Sequence, residues 1–141
     1  DRCLESTVDY VKERKTFGRA VGSYQAVKHK LARMYAQNEL ARSNAYYGAW
    51  ALASDSGELP IAASAARISA TECFEYSARE GLHLHGGMGY TWEVDCHLYL
   101  KRSRDLALRL GSLRHWKEKL ISATLAATRA PATIPTWLAN S

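Results

Sequence analysis

Two stretches of this chain gather side chains that can hold a phosphate-bearing ligand. The first is Glu13-Arg14-Lys15-Thr16-Phe17-Gly18-Arg19, followed by Tyr24-Gln25-Ala26-Val27-Lys28-His29. The second is His83-Leu84-His85-Gly86-Gly87-Met88-Gly89-Tyr90-Thr91-Trp92-Glu93. Arg14 stands just before a connection bracketed by Gly18 and Gly22. A guanidinium there has two uses. It can interact with the last carbonyls of its own helix, or it can present a rigid fork to a pyrophosphate. Gln25 falls in the first turn of the next helix, where an amide can both donate to and accept from a cofactor. Taken alone it is equally at home in solvent.

The second stretch says more. Gly86, Gly87 and Gly89 remove side chains at three of four positions. One glycine is enough to end a helix. Three allow close approach to the backbone by a ligand or a neighbouring helix. The cluster is not a dinucleotide fingerprint, because no strand precedes it, and not a P-loop, because no Gly-Lys-Ser/Thr follows. His83 and His85 are two apart and so do not share a helix face, which argues against a metal pair even with Cys96 and His97 nearby.

Helices must position these residues. Residues 1 to about 15 read as helix, with Leu4, Val8 and Val11 on one stripe. Ser23 is a plausible N-cap for a long helix running to about residue 54. Its seam is Tyr24, Val27, Leu31, Met34, Asn38, Ala41, Ala45, Gly48 and Leu52. A turn at Ser56–Pro60 leads to a third helix, from 60 to about 84, with an Ala-rich start. A shorter helix is expected over about 94–103. A last one is expected over 105–128, with Leu106, Leu110, Leu113, Trp116, Leu120 and Ala123 as its seam. Residues 1–128 are therefore expected to form one all-α domain, an antiparallel four-helix bundle. Residues 129–141, with Pro131, Pro135 and Trp137, read as an extended tail. No strand-period run longer than a few residues and no internal repeat is evident.

Composition is that of an ordinary globular domain. Of 141 residues, 47% are hydrophobic and 23% charged, with a net charge of +5. The basic residues are scattered along helices rather than gathered on one face, which points away from a nucleic-acid partner. A mildly positive surface equally suits the phosphates of a nucleotide cofactor or of coenzyme A. The three cysteines, Cys3, Cys73 and Cys96, are odd in number and lack metal spacing, so they read as reduced thiols. No stretch is long and apolar enough to span a bilayer, and a cytoplasmic location is expected. The chain opens on Asp1 in what reads as mid-helix, and is expected to be a piece of a longer protein.

Arg-x-x-Phe-Gly at 14–18, Gln25 eleven residues after the Arg, and the Gly-Gly-x-Gly-Tyr-Thr break at 86–91 occur in that order on successive helices. Together these motifs resemble the acyl-CoA dehydrogenase family over roughly residues 1–120. The resemblance implies a C-terminal helical-bundle domain and FAD as cofactor. It implies that Arg14 and Gln25, with Thr16 and Phe17 beside them, meet the FAD of a neighbouring subunit. It implies that His83, Leu84, His85, Gly86 and Gly87 contact the adenosine-pyrophosphate half. His83 stands where the family usually carries Gln. A neutral imidazole still donates one hydrogen bond and accepts another, although a His at a helix C-terminus is also favoured by the dipole alone. The run from Gly89 to Arg102 resembles a bacterial branch, some of whose members handle bulky or steroid thioesters.

The activity implied is α,β-desaturation of an acyl-CoA thioester. The partners implied are the acyl-CoA substrate, neighbouring subunits of a dimer or tetramer, and an electron-accepting flavoprotein. Many members carry a catalytic Glu before a Gly-Thr pair. Counted without gaps from Gly86-Gly87, that position is Leu110, before Gly111-Ser112. Leu takes no proton, so no catalytic residue is assigned within the chain; Glu93 and Asp95 have no such role in the family. The base then lies upstream or in a partner subunit, or the protein is inactive. The alternative reading is a non-catalytic helical partner in a mixed oligomer. A nucleic-acid-binding relative is a third, suggested by charge alone.

Overall fold

The computed structural model describes residues 1–129. It contains five helices: α1 (Arg2–Glu13), α2 (Gln25–Ala53), α3 (Leu59–Leu84), α4 (Cys96–Arg109) and α5 (Leu113–Arg129). A two-stranded hairpin, β1 (Lys15–Thr16) and β2 (Arg19–Ala20), and a 3₁₀ turn at Val21–Ser23 link α1 to α2. A second 3₁₀ turn, Gly86–Tyr90, follows α3. The expected tail, and with it Trp137, lies outside the described residues.

The helix α3 is the hub, packing on α1, α2, α4 and α5. Its seam can be central because its apolar face is built from small side chains. Ala62 and Ala78 are wholly buried, and Ser64, Thr71 and Ser77 are buried with them. The helices α2 and α3 form an αα-hairpin through a short turn, with Pro60 in the first turn of α3. Where they cross, Gly48 brings its backbone so close that an added Cβ would stand 3.5 Å from Ala66 Cβ. Met34, Val11 and Leu82 fill the centre where α1, α2 and α3 meet. Cys3, Cys73 and Cys96 are buried free thiols. Burial is the main cause that pushes the Cys3 thiol up to about 11, so it holds its proton at neutral pH.

Four local expectations are corrected. The link after α1 is a β-hairpin, with Phe17 (φ 52) and Gly18 (φ 78) both in the left-handed region at its tip, the pattern of a two-residue type I′ turn. Two paired residues per strand are too short for any period-2 signal. Ser23 does not cap α2. Its hydroxyl donates to Ala20 O (2.7 Å) inside the 3₁₀ turn, and Tyr24 occupies the cap position. On α2 the buried line ends at Ala51, while Leu52 faces outward at 67% exposure; Ala51 lies one turn beyond Gly48, on the face turned to α3. The boundary between α4 and α5 falls at Gly111 (φ +92), not near residue 104. Asp105 bridges Arg102 (3.0 Å) and Arg109 (2.8 Å) and carries the helix through that point. The later seam of α5 stands as expected, with Leu113, Trp116, Leu120 and Ala123 all half-buried.

Candidate functional site

The end of α1, the hairpin and the break after α3 meet around an open cleft of about 440 Å³. Its walls include Arg14 and Thr16 from the first sequence stretch, and His83, Leu84, His85, Gly86 and Gly87 from the second. Two segments some 70 residues apart thus converge on one space. Phe17 and Gln25 do not line it. Phe17 sits at the hairpin tip, 93% exposed, and Gln25 is exposed at the first position of α2. The cleft also takes in Tyr10, Val21 and Met88, which the sequence reading missed. Tyr10 could have been found, since it lies one helical turn before Arg14 on the same face.

The hairpin wall fixes backbone and leaves side chains free. Arg14 N donates to Tyr10 O (2.9 Å) as the last turn of α1 closes. Val21 N donates to Arg14 O (2.7 Å) after the hairpin returns. Both backbone groups of Arg14 are therefore satisfied, while its guanidinium is exposed, with no hydrogen-bond or ion-pair partner among the described residues. The helix-end role for Arg14 is thus not what holds the side chain. The hairpin leans on Tyr24, whose hydroxyl donates to Thr16 O (3.0 Å) and whose ring carries Arg19 at 3.9 Å. That contact sets Gln25, the next residue, beside the hairpin.

The glycine wall is held from within. His85 is only 3% exposed. Its Nδ1 donates to Gly81 O at 2.7 Å, because a carbonyl can only accept. Its ring stacks on Tyr10 with centroids 4.2 Å apart, and the Tyr10 hydroxyl donates to His85 O at 3.1 Å. Gly86 then takes φ +60 and turns the chain, and a Cβ added at Gly86 or Gly87 would meet nothing within 4 Å. Those two positions leave backbone bare to the cleft. Gly89 is different: a Cβ there would collide with the Leu82 carbonyl oxygen. The third glycine of the cluster serves packing, not the cleft.

Charge favours an anion. Arg14, His83 and His85 line the cleft and no Asp or Glu does. The nearest acid on α3 is Glu80, one turn before His83, and it faces Lys30 of α2 at 2.7 Å. Burial works to raise the Glu80 carboxyl, but the bond and charge of Lys30, with His83 and Arg79 adding, hold it below the usual carboxylate range. Among the described residues no three His, Cys, Asp or Glu side chains gather as a metal site, and no helix is long and apolar enough to cross a membrane.

At the α4 end, Leu110 is 66% exposed and lies beyond the helix, accepting the Trp116 indole N–H at its carbonyl (2.7 Å). It does not share a buried seam with Leu106 and Leu113, as its spacing suggested, because Gly111 breaks the helix between them.

Comparison with known proteins bears on the fold and the family. The family model described as acyl-CoA dehydrogenase, C-terminal domain, matches residues 1–131. Acyl-CoA dehydrogenase IpdE2 of Mycobacterium tuberculosis is 41% identical over 124 residues, which is 86% of this chain and 36% of that protein. Acyl-CoA dehydrogenase FadE34 of the same organism is 38% identical over 127 residues, 89% of this chain and 18% of that protein. Among solved structures, the ChsE4-ChsE5 complex from Mycobacterium tuberculosis matches with a TM-score of 0.80 and 28% identity, covering 93% of this chain and 35% of that one. The chain thus spans about a third or less of the length of these relatives.

Proposed function

This chain belongs to the acyl-CoA dehydrogenase family, and we propose that its cleft grips the adenosine-pyrophosphate half of FAD in an enzyme that desaturates acyl-CoA thioesters at the α,β position. Members of this family use FAD. The observation that carries the reading is the convergence of Arg14 and the bare Gly86–Gly87 backbone on one cleft without a carboxylate. That donor set fits a pyrophosphate: a fork with free N–H groups, and backbone that a phosphate can approach closely.

Each residue then has a task. Arg14 supplies charge and a bidentate contact. Thr16 offers a hydroxyl on the same wall. His83 hydrogen-bonds in place of the family's amide, with Leu84 beside it. His85 holds the break in shape from behind, and Gly86 and Gly87 keep the approach open. Phe17 and Gln25 are exposed outside the cleft, which suits contact with the cofactor of a neighbouring subunit in a dimer or tetramer. FAD when bound would supply the hydride acceptor for the β-carbon, and a carboxylate would be needed for the α-proton. No residue described here is assigned that proton, and chemistry of this kind would call for a separate electron-accepting flavoprotein as partner.

The test is Arg14→Ala in the full-length protein. Loss of a charge-assisted bond costs about 1.5–3 kcal/mol, or roughly ten- to a hundred-fold in FAD affinity. The fold is expected to be unchanged, because the side chain makes no bond within the domain. Unaltered flavin content and affinity would sink the reading.

A second reading has its own support. Leu110, exposed at the family's in-domain base position, suits a non-catalytic subunit that lends its bundle to a mixed oligomer. Co-expression with a catalytic relative, followed by isolation of a stable two-component complex in which only the partner's carboxylate is needed for flavin reduction, would support it over a self-sufficient enzyme.

A further inference from the structure

Helix α1 is fastened to α3 by three rungs, and only the last reaches the cleft. Cys3 Sγ donates to Ser77 O at 3.2 Å. One turn on, Cys3 and Thr7 close over Gly81, where an added Cβ would stand 2.9 Å from Cys3 Sγ and 3.0 Å from Thr7 Oγ1. One turn further, Tyr10 meets His85. Its ring stacks on the imidazole with centroids 4.2 Å apart, and its hydroxyl donates to His85 O at 3.1 Å. The first two rungs set how closely the helices pack. The third stands between Arg14, one turn later in the chain, and Gly86, the residue after His85.

Among the described residues, this hydroxyl makes the one hydrogen bond that joins α1 or the hairpin to residues 83–87. Tyr10 serves the other wall as well, since its carbonyl accepts Arg14 N at 2.9 Å. A single residue thus holds the backbone at Arg14 with its carbonyl and the backbone before Gly86 with its hydroxyl. The second grip reaches beyond its one acceptor. The His85–Gly86 peptide is trans, so its N–H lies antiparallel to its C=O. Fixing the His85 carbonyl therefore also fixes the direction of the Gly86 N–H, on the bare backbone that lines the cleft.

We propose that Tyr10 is a positioning residue for the ligand of this cleft: it clamps the glycine break to the end of α1, at the spacing where Arg14 and the Gly86–Gly87 backbone engage one pyrophosphate together. This rests on the FAD reading above. Tyr10 acts through its neighbours, with its hydroxyl committed to His85 O and its ring face to the imidazole. Charge-assisted bonds are short and directional. A ligand that must reach both walls loses contact with one of them when the walls drift apart, and a site of this kind tolerates only about 0.5 Å of drift.

The test is a double-mutant cycle on the full-length protein freed of flavin. It measures binding of FAD and of ADP-ribose, which carries the same adenosine and pyrophosphate. Tyr10→Phe keeps the ring and its stack and removes only the hydroxyl. It is expected to stay folded, with a lower midpoint in denaturant, and to bind both probes roughly two- to ten-fold more weakly, the scale of one neutral hydrogen bond. Lost stability does not by itself weaken binding while the folded fraction stays near one. The cycle adds a readout that a structural role would not move. Without the hydroxyl, Arg14→Ala is expected to cost less affinity than it does in wild type, by roughly two-fold or more, because the two groups act as a unit. Additive losses, a larger cost of Arg14→Ala without the hydroxyl, or wild-type affinity in Tyr10→Phe overturn the proposal and leave the FAD reading standing. Loss of the folded state in Tyr10→Phe overturns it too, since the hydroxyl would then serve the fold rather than the cleft. Absence of binding of both probes to wild type, or Arg14→Ala binding them as tightly as wild type, overturns the FAD reading and the proposal with it.

Discussion

The two walls of the cleft are built on opposite plans. The hairpin wall is tied down at its own backbone, through Arg14 N, Arg14 O and Thr16 O, the last held by the Tyr24 hydroxyl, and every side chain from Lys12 to Arg19 is exposed. The glycine wall is tied down by side chains, through the His85 imidazole, the Tyr10 ring and the Tyr10 hydroxyl. Residues on the hairpin wall are therefore free to serve a ligand, and changing them should cost binding but little stability. Residues on the glycine wall carry the fold and the ligand surface together, and changing them should cost stability first. Near one cleft, a shared family motif thus mixes positions of two physical kinds.

The sharpest way to break this contrast is Gly89→Ala. The new methyl would run into the Leu82 carbonyl oxygen and stand 3.2 Å from His85 Cβ. Neither neighbour can yield cheaply, since one is helix backbone and the other a buried ring. Overpacking of this kind costs roughly 2–3 kcal/mol. Denaturant unfolding should show that loss, whereas the Arg14→Ala variant should unfold like wild type. Equal stability of Gly89→Ala and wild type would mean that the break relaxes freely and that the two walls do not differ in kind.

A smaller effect is expected at Glu80. It anchors the glycine wall to α2 through Lys30, and its carboxyl lies below the ordinary value of 4.5 when folded. A depressed carboxylate contributes stability that is present in full above its unfolded value and is lost as pH falls through the folded one. Glu80→Gln should therefore cost about 1 kcal/mol at pH 7, modest because the Lys30 side chain is 44% exposed. The difference from wild type should narrow as pH falls past the ordinary value of 4.5 and close as it falls through the lower folded one. A gap that persists unchanged at pH 3 would mean that shape, not charge, is what Glu80 contributes.

Much of this was legible in the residues, and the rest was hidden for definable reasons. The first three helices declared themselves through length and a periodic apolar stripe. Arg14 and the glycine break stood out because their residue types are costly without a purpose. The hairpin was hidden because two-residue strands carry no period. The α4–α5 boundary was hidden because Leu106, Leu110 and Leu113 keep helical spacing straight across Gly111, so a glycine in αL had to overrule a pattern. The separate roles of Gly86, Gly87 and Gly89 are invisible in sequence, because only three-dimensional neighbours tell open backbone from a packed one. The convergence of Arg14 with residues 83–87 on one cleft is likewise a tertiary fact; the resemblance to a family assigned both segments to FAD without placing them together.

The smallest effect expected is none at all, and it concerns the two carboxylates nearest the break. Glu93 and Asp95 are exposed, and neither side chain makes a hydrogen bond or ion pair among the described residues. Asp95 sits at the N-cap of α4 without a side-chain cap bond. A base that removes an α-proton must lie within hydrogen-bond reach of its substrate, and neither residue lines the cleft. Leu110, where a gap-free count from Gly86-Gly87 would put the family's base, is exposed and aprotic. Glu93→Gln and Asp95→Asn should therefore leave both stability and flavin reduction untouched. Anaerobic mixing of the full-length, FAD-loaded protein with an acyl-CoA thioester, followed at the flavin absorbance, measures the second. If either variant keeps its flavin and its fold yet fails to be reduced, the proton-abstracting group belongs to this domain, and the segment after the glycine break is catalytic rather than a lead-in to α4.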